Sequence, residues 1–511
     1  MSLLNKFLLI VLLIGLYILN KFIIKPYLLM NFYRKQGINM TFIPFSGYYT
    51  RDLANVYKHG DFYYAWKEEV KKTPKPKALG GNFGTKAHLA ILDPNLIKEY
   101  MMKHEVYIKE PSLLGMMKDL CGEGLVVSEG ALWKRKRKLI AKSFHYEFLK
   151  ESIPQIYACV DELLEDLKNR ELKNVNIMKE FQGITGDITG RIFFGETFAK
   201  SKIKGLTYSN FFAKLAENVG VMILDTSFQL FGRLPGKLGL VKLHAETIQQ
   251  IRDLREFSFT LVDKMMKESK RKKDEGRHNE RKHLIDIIYD QRLENPEDYL
   301  TEKEVVDEFI ALYLGGMDTT GHLITMATYY LAKHPEYMDR LMQEIKTNIK
   351  SGSDITIDDL NKMEFMTAFL KESLRLATPS ATSFERLAIK DHLLGKIKIK
   401  KGTIVLAANI VNMTDADFHD DPEKFDPMRW LDPNSRTLKS IGSNSFVFTP
   451  FHGGPRNCIG QNYAMVNAKM VLSLFLLKFN YELTNKNYQL RMTQRFMHEP
   501  EEELRYDLQI K

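Results

Sequence analysis

Apolar residues are most concentrated at the start of the chain. The run from Phe7 to Leu19 resumes after Lys21 and ends at Ile24. As one helix this stretch is just long enough to span a bilayer, with the Lys21 ammonium reaching the headgroups. A cleaved signal peptide would need small residues after the apolar core, and the NKFIIKP that follows Leu19 has none. We therefore expect an N-terminal membrane anchor in residues 1–26.

Basic residues flank this anchor unequally. Lys6 precedes the apolar run, whereas Lys21, Lys25, Arg34 and Lys35 lie at or beyond its far end. Because the more positive flank of a membrane helix stays on the cytosolic side, we expect the body of the protein to face the cytosol.

Three longer helices follow from the helical period of the apolar residues. One runs from about Thr301 to Lys333, is apolar on every side in its middle, and is therefore expected to cross the core. A second begins at a Thr356 cap and stops before Pro379. A third follows Cys458 directly and carries one apolar face, composed of Ala464, Ala468, Val471, Leu472, Phe475, Leu476 and Phe479.

Short alternating stretches predict small β-hairpins at Lys77 to Pro94 and at His392 to Leu406. Charged residues fill the stretch Lys267 to His283, which we interpret as a solvated loop between two helices. The sequence contains no internal repeat and no Pro/Gly/Ser linker. It therefore predicts a mainly α fold with small β-sheets, in which residues 27–511 form a single domain.

The composition, with 44% hydrophobic and 27% charged residues, is that of an ordinary globular protein. A net charge of +10 is compatible with nucleic-acid binding, but no nucleic-acid-binding motif accompanies it. A membrane anchor and an acidic protein partner account for the same excess. We therefore expect no nucleic-acid partner.

The chain has three widely separated cysteines, Cys121, Cys159 and Cys458, too few for a disulfide framework or a four-cysteine zinc site. Cys458 follows the turn FHGGPRN and precedes a predicted helix, whose dipole should lower the thiol pKa. We expect Phe451 to shield the sulfur from water. A lone cysteine is usually a small core residue, whereas this setting suits a thiolate ligand to haem iron.

The loop residues Phe451, Gly454, Arg456, Cys458 and Gly460 fit the pattern F-x-x-G-x-R-x-C-x-G. This pattern resembles the haem-thiolate signature of the cytochrome P450 monooxygenases. The resemblance implies the cytochrome P450 fold. It also implies a haem b cofactor whose axial ligand is the Cys458 thiolate and which the other four residues help to hold.

The buried helix carries GGMDTT at residues 315–320, which is similar to the oxygen-activation motif of that family. The resemblance implies that Thr319 supplies the alcohol and Asp318 the carboxylate that pass protons to the reacting oxygen. The glycine pair should let the helix bow beside the iron. A second interpretation is a close-packed glycine pair followed by threonines that bond to their own helix.

Glu372 and Arg375 share a helix face in KESLR, and Arg429 follows in DPEKFDPMRW. In the family such residues form a buried Glu-Arg-Arg cluster, and we assign these three a structural role.

Four donors match family positions that bind the haem propionates, namely Trp133, Arg137, Arg386 and Arg456. Indole and guanidinium N–H groups suit a carboxylate, although each arginine also fits an ordinary surface role. The helix of Trp133 carries further basic residues, Lys134, Arg135, Lys138 and Lys142. We expect them to dock an acidic electron donor, with a solvated basic face as the alternative.

The resemblance implies a monooxygenase that inserts one oxygen atom from O2 into a lipophilic substrate. The chain has neither a dinucleotide-binding fingerprint nor a flavin domain. We therefore expect electrons from NADPH through a separate NADPH-cytochrome P450 reductase, with cytochrome b5 as a further donor, at the endoplasmic reticulum membrane. A haem-thiolate isomerase or dehydratase acting on peroxides, and a noncatalytic membrane haem sensor, are the alternatives.

The resemblance also indicates the walls of the substrate pocket. They are residues 112–126, 208–240, 311–319 and 381–384 with Phe496 and Met497, and they are largely apolar. Within them the stretch Phe228 to Leu240 has two interpretations, a segment that dips into the bilayer and an ordinary packed loop.

Overall fold

The computed structural model describes residues 3–44, 47, 49–83, 85–103, 105–195, 198, 201–277, 283–349 and 354–511. Helices dominate and the sheets are small, as the sequence predicts.

The helices of the described residues follow in chain order. They are α1 (Leu3–Leu19), α2 (Lys25–Arg34), α3 (Tyr49–His59), α4 (Tyr64–Glu69), α5 (Pro94–Met102), α6 (Pro111–Cys121), α7 (Gly130–Ile140), α8 (Tyr146–Lys168), α9 (Ile177–Thr189), α10 (Tyr208–Leu224), α11 (Thr226–Phe231), α12 (Leu234–Lys237), α13 (Lys242–Asp274), α14 (Leu284–Glu294), α15 (Glu302–Lys333), α16 (Met338–Asn348), α17 (Ile357–Asn361), α18 (Glu364–Leu376), α19 (Asn409–Met413), α20 (Arg436–Ser443) and α21 (Gln461–Lys478).

The strands are β1 (Asn39–Thr41), β2 (Ala78–Phe83), β3 (Lys86–Ile91), β4 (Tyr107–Lys109), β5 (Val175–Asn176), β6 (Lys202–Ile203), β7 (Leu206–Thr207), β8 (Arg386–Ala388), β9 (His392–Leu394), β10 (Ile397–Ile399), β11 (Ile404–Ala407), β12 (Phe479–Leu483), β13 (Met492–Gln494), β14 (His498–Pro500) and β15 (Arg505–Ile510). The largest sheet has the order β1-β2-β3-β11-β8-β4, and a three-stranded sheet has the order β12-β15-β5. The pairs β9-β10, β13-β14 and β6-β7 form separate two-stranded sheets.

The N-terminal helix is longer than the sequence predicts. It continues from α1 through a π-helical turn at Asn20–Ile24 into α2. Residues Leu4–Arg34 form one helix that is long enough and apolar enough to cross a membrane. The helix passes from an exposed to a partly buried environment at Pro26, which is buried together with Met30 and Tyr33. The Tyr33 hydroxyl bonds Thr403 Oγ1 at 2.6 Å, so α2 is held against the largest sheet.

The long helix α15 crosses the core as predicted. Its N-cap Thr301 and Glu304 form a reciprocal capping box, which fixes where the helix begins. Packing against α9 is close because two glycines face that helix. A Cβ on Gly316 would lie 2.5 Å from Thr189 Oγ1, and one on Gly321 would lie 3.0 Å from the Gln182 backbone nitrogen.

The prediction of one continuous second helix is wrong, because the structure has two helices there. Thr356 caps it as expected, but α17 ends at Asn361 and α18 starts separately at Glu364. The carboxylate of Glu344 supplies the reason, because it accepts the backbone N–H groups of Phe365 at 2.8 Å and Met366 at 2.7 Å. This side chain from α16 satisfies the free donors of a new helix start.

The charged stretch from Lys267 is helical through Asp274 as the end of α13, so its interpretation as a loop is wrong there. Ion pairs one turn apart support the helix, such as Arg271 with Glu268 at 2.8 Å and with Glu275 at 2.9 Å. Residues 278–282 of that stretch lie outside the described residues.

Both predicted hairpin regions form strands, but they pair differently from expectation in one case. β2 and β3 are antiparallel neighbours, and so are β9 and β10 around Gly395. The turn at Gly402 does not close a hairpin with the next strand. β11 instead pairs in parallel with β3 and antiparallel with β8, because its four residues are all buried inside the largest sheet.

The predicted buried charge cluster is confirmed. Arg375 Nε and Nη2 donate to the two Glu372 carboxylate oxygens at 2.9 and 2.8 Å, and Arg429 Nε donates at 3.0 Å. Trp430 Nε1 and the Asp426 backbone N–H complete the shell of Glu372. Burial alone would raise the pKa of Glu372, but Arg375 and Arg429 outweigh it, so that pKa lies below its ordinary value. The cluster ties α18 to the chain that leads to Cys458.

Candidate functional site

The loop from Phe451 to Gly460 is shaped by two glycines and one backbone hydrogen bond. Gly454 has φ +71°, and a Cβ there would lie 3.0 Å from the Met101 carbonyl oxygen. A Cβ on Gly453 would lie 2.5 Å from the Phe446 ring. The Cys458 N–H donates to the Phe451 carbonyl at 2.9 Å, which closes the loop around the cysteine. Positive φ is readily adopted only by glycine, so position 454 requires this residue.

The helix after the loop begins later than the sequence predicts. Its N-cap is Gly460 and α21 starts at Gln461, three residues beyond Cys458. The helix is also buried on all sides rather than on one face, since Asn467, Lys469 and Ser473 are buried too. Lys469 Nζ donates to the Leu360 carbonyl at 2.7 Å, which satisfies one of these polar groups.

The environment of the sulfur differs accordingly from the expectation of a lowered pKa. Burial raises the pKa of the Cys458 thiol, while the Gly460 backbone N–H and the Arg137 charge lower it by less. The surface that Cys458 exposes faces an internal cavity. The thiol is therefore accessible from the cavity but enclosed by protein, and a cation in the cavity would favour its thiolate form.

His452, which the sequence did not single out, anchors the same loop. Its φ of +60° is unusual for a residue with a side chain. Asn409 Nδ2 donates to His452 Nδ1 at 2.9 Å, so the other ring nitrogen donates to Ser380 Oγ at 3.0 Å. Burial lowers the pKa of His452 to about 4. A neutral imidazole thus bridges the cysteine loop to the chain after α18.

A cavity of about 1000 Å³ opens in front of Cys458. Every wall segment expected from the sequence contributes to it, including Leu125, Phe228, Ala311, Phe384 and Phe496. The wall is largely apolar, as expected. Charged residues line it as well, two of them inside the predicted segment 208–240 (Arg233 and Lys237) and five outside the predicted segments (Lys86, Lys109, Glu110, Glu385 and Arg495).

Three of the four predicted propionate donors cluster beside Cys458. Arg137 Nη1 and Nη2 donate to the Asn457 carbonyl and side-chain oxygens at 2.7 and 2.8 Å. Arg456 Nη2 donates to Glu129 at 2.6 Å, and its guanidinium lies 3.9 Å from the centroid of the Trp133 ring. Burial lowers the pKa of Arg456 to about 10. All three side chains line the cavity.

Arg386 on β8 is the fourth donor. Its guanidinium lies 5.0 Å from the Tyr100 ring centroid, and its Nη1 is buried without a hydrogen-bond partner in the structure. A buried guanidinium N–H without an acceptor is costly. Because Arg386 lines the cavity, an acidic group held there would supply the acceptor.

Lys109 lies directly opposite Arg386 across β4 and β8. Its Nζ donates to the Val126 carbonyl at 2.5 Å, and burial lowers its pKa to about 7. Sequence reasoning missed this lysine because a single lysine before a proline-containing turn carries no pattern. Its partner strand lies almost three hundred residues away, so only the fold brings the two cations together.

The two residues of the predicted oxygen-activation motif point in different directions from α15. Thr319 lines the cavity, and its Oγ1 donates to the Gly315 carbonyl of its own helix at 2.7 Å. Asp318 instead faces α9 and accepts from Gln182 Nε2 at 2.7 Å. Burial raises the pKa of Asp318 to about 6. A Cβ on Gly315 would meet nothing within 4 Å, which leaves open space beside Thr319. α15 is helical through this stretch.

The basic residues around Trp133 divide into two groups. Lys134, Lys138 and Lys142 are exposed at successive intervals of four residues. Arg135 is committed to Glu304 at 2.6 Å and Asp298 at 3.3 Å. Lys134, Lys138 and Lys142 form no ion pair with any residue in the described ranges. The expected docking surface therefore comes down to these three lysines.

Comparison with known proteins agrees with this geometry. The family model described as Cytochrome P450 matches residues 68–504. The chain is 28% identical over 451 residues to cytochrome P450 CYP72A616 of Paris polyphylla, covering 84% of this chain and 78% of that protein. It is 27% identical to cytochrome P450 3A29 of Sus scrofa, covering 83% of each chain. It is also 27% identical to 7-deoxyloganic acid hydroxylase of Catharanthus roseus, covering 82% of this chain and 81% of that protein.

The two glycines that flank Cys458 should respond differently to alanine. Gly454→Ala forces a side chain into positive φ and against Met101, at a cost of about 1–2 kcal/mol or more. Gly460 has φ −91°, and its Cβ would make only ordinary contact with Phe144 at 3.5 Å. We expect Gly454→Ala to lower the denaturation midpoint and the haem content of the purified protein, and Gly460→Ala to change both little. Equal effects of the two substitutions would contradict this account of the loop.

Proposed function

Because this chain belongs to the cytochrome P450 family and is a cytochrome P450 monooxygenase, we propose that it inserts one oxygen atom from O2 into a lipophilic substrate. The observation that carries the proposal is Cys458 in the wall of a large cavity, surrounded by cationic and indole donors. One turnover would consume the substrate C–H group, O2, NADPH and a proton. It would yield the alcohol, water and NADP⁺.

The residues present fit a haem b. Cys458 is the candidate iron ligand, and the iron charge would offset the burial that raises the thiol pKa. Arg137, Arg386, Arg456 and Trp133 would hold the propionates, with the unpaired Nη1 of Arg386 as the clearest vacancy for an acceptor. Phe451, Gly454 and Gly460 belong to the loop that would hold the haem, and of the two glycines Gly454 is the one whose conformation excludes a side chain. When bound, the haem supplies the oxidising chemistry.

Thr319 and Asp318 would deliver protons to the reacting oxygen in the cavity. Thr319 can turn its hydroxyl from Gly315 toward the open space beside that glycine and hold water there. Asp318 lies one residue earlier and has a pKa of about 6, so that burial leaves it able to exchange protons near neutral pH. Because Asp318 faces Gln182, it would need to turn or act through water.

We propose a membrane location at the endoplasmic reticulum with the catalytic part facing the cytosol, and the apolar N-terminal helix with its basic flank supports a membrane anchor in this orientation. The segment from Phe231 to Leu240 would contact the same bilayer. Phe231, Leu234, Leu238 and Leu240 are exposed there, whereas Pro235 and Gly236 are buried against α13.

Removal of residues 1–26 should shift the protein toward the soluble fraction, and unchanged sedimentation with membranes would argue against the N-terminal helix as the main anchor.

Electrons would come from NADPH through NADPH-cytochrome P450 reductase, with cytochrome b5 as a further donor. Lys134, Lys138 and Lys142 form an exposed basic strip on and after α7, the helix that carries Arg137. Arg137 in turn bonds Asn457 next to the cysteine. An acidic partner on this strip would therefore dock close to the proximal side of the site.

The proton role of Thr319 predicts a change in how electrons are used. In Thr319→Ala, NADPH oxidation should continue while more of the electrons leave as hydrogen peroxide and fewer appear in oxygenated product. Thr319→Ser keeps the hydroxyl and should restore coupling. The measurement compares NADPH consumed, peroxide formed and product formed with purified reductase. Coupling that is unchanged in Thr319→Ala would contradict the proton role of Thr319.

The alternative functions give other results. Product formed without NADPH or O2 would favour the isomerase alternative, and spectral binding of a ligand panel without turnover of any member would favour the sensor alternative.

The docking strip predicts a loss of electron transfer without loss of haem binding. Replacing Lys134, Lys138 and Lys142 by glutamate should slow reduction by the reductase by about tenfold or more at low ionic strength, and less at high salt. A matched variant with glutamate at the exposed Lys270, Lys346 and Lys396 carries the same change of net charge. Stopped-flow reduction rates that fall equally in both variants would show a general charge effect rather than a docking site.

A further inference from the structure

The cavity wall reaches the protein surface at α11 and α12, because Leu234 and Lys237 both line the cavity and are exposed; we call this end the mouth. Arg233, Leu234 and Lys237 line the cavity, and the apolar side chains around them are open to solvent. Phe231 is 63% exposed, Leu238 is 62% exposed and Leu240 is 75% exposed. On the other side of α12, Gly236 packs so closely against His244 that a Cβ would lie 2.7 Å from the His244 Cβ. The segment is thus fixed to α13 and presents its apolar side chains outward around the mouth.

The two cations at this mouth have different partners. Arg233 Nη1 pairs with Asp119 at 2.8 Å, and its Nη2 donates to the Gly115 carbonyl at 2.6 Å. This pairing neutralises Arg233 and ties α12 to α6. Lys237 forms no ion pair with a carboxylate in the part of the chain that the structure describes. Burial raises the pKa of Asp119, and the charges of Arg233 and Lys237 both oppose that rise. Two cations therefore share one carboxylate at this mouth, within an apolar rim.

The cavity beyond these charges is suited to an alkyl chain. Phe228, Leu125, Ala311, Leu314 and Leu323 line the same cavity as the mouth residues and the Cys458 loop. A neutral lipid would fill the apolar part but would form no ion pair with the Lys237 ammonium. A ligand that carries an anionic group at one end and an alkyl chain at the other satisfies both parts of the wall.

We propose that the substrate is an anionic amphiphile, a long-chain carboxylic acid whose carboxylate binds Lys237 at the mouth and whose chain extends through the apolar cavity toward Cys458. This inference rests on the proposed function, because it names the substrate class of the same site. Lys237 is a binding residue in this scheme. The exposed apolar rim would let such an acid enter from a bilayer, where its carboxylate already lies at the polar surface.

The test uses the haem-containing full-length protein in phosphatidylcholine nanodiscs and three probes of equal chain length, dodecanoate, dodecanol and methyl dodecanoate. Equilibrium dialysis with labelled probes gives dissociation constants that do not depend on turnover. We expect dodecanoate to bind about tenfold more tightly than the two neutral probes. Lys237→Gln should remove that preference, and Lys237→Arg should retain it.

Lys242→Gln is the matched control, because Lys242 is close in sequence, 90% exposed and outside the cavity wall. It should leave the preference for dodecanoate unchanged. Equal affinity of the wild type for dodecanoate and dodecanol would overturn the inference, and so would a preference that survives in Lys237→Gln.

The same charge could instead bind a phosphate of an anionic membrane lipid. A second arm therefore measures association of the protein with phosphatidylcholine vesicles with and without phosphatidic acid. If Lys237→Gln weakens association with the anionic vesicles but not the dodecanoate preference, the lysine serves the membrane surface and the substrate inference is wrong. Selective dodecanoate binding without any oxygenated product would leave the inference standing while the proposed reaction fails.

Discussion

The burial of one sulfur atom is the constraint on which the site depends. Cys458 sits in a closed loop where desolvation raises the thiol pKa, and the Gly460 N–H and the Arg137 charge do not compensate fully. A cation in the cavity in front of Cys458 would favour the thiolate. Haem iron is such a cation, and the same cavity wall provides donors for the negatively charged propionates at the ring edge. The polypeptide thus buries a thiol and several cationic donors whose burial would be offset when the cofactor binds.

The rest of the fold holds that sulfur in place. The Glu372 cluster joins α18 to the chain before the loop, and losing one partner of such a buried cluster typically costs about 3–5 kcal/mol. His452 fixes the start of the loop, and Arg137 bonds Asn457, the last residue before the cysteine. Opposite these, α15 brings Thr319 to the cavity, while the close approach of Gly316 and Gly321 to α9 sets the position of the helix. Structural polar contacts and candidate catalytic groups therefore belong to one connected arrangement.

Much of this arrangement could be predicted from the sequence because its signals are local. The pattern around Cys458 and the all-round apolar stretch of α15 each lie within a short segment, and Glu372, Arg375 and Arg429 are identified because their two segments resemble motifs of the family. The errors have a common cause. The Glu344 carboxylate from α16 caps a separate helix start, the helix after Cys458 begins at Gln461 rather than directly after the cysteine, and burial raises the pKa of the Cys458 thiol. Lys109, His452 and Lys237 acquire their surroundings only through tertiary contacts, so that no spacing rule identifies them.

The most direct measurement of the central claim is the absorption spectrum of the reduced protein with carbon monoxide. The account predicts that the purified wild type contains haem and shows the strongly red-shifted Soret band of a thiolate-ligated iron, and that Cys458→His shows the band typical of histidine ligation or binds no haem. A wild-type spectrum of the histidine-ligated type, or the same thiolate spectrum after removal of the Cys458 sulfur, would contradict the account.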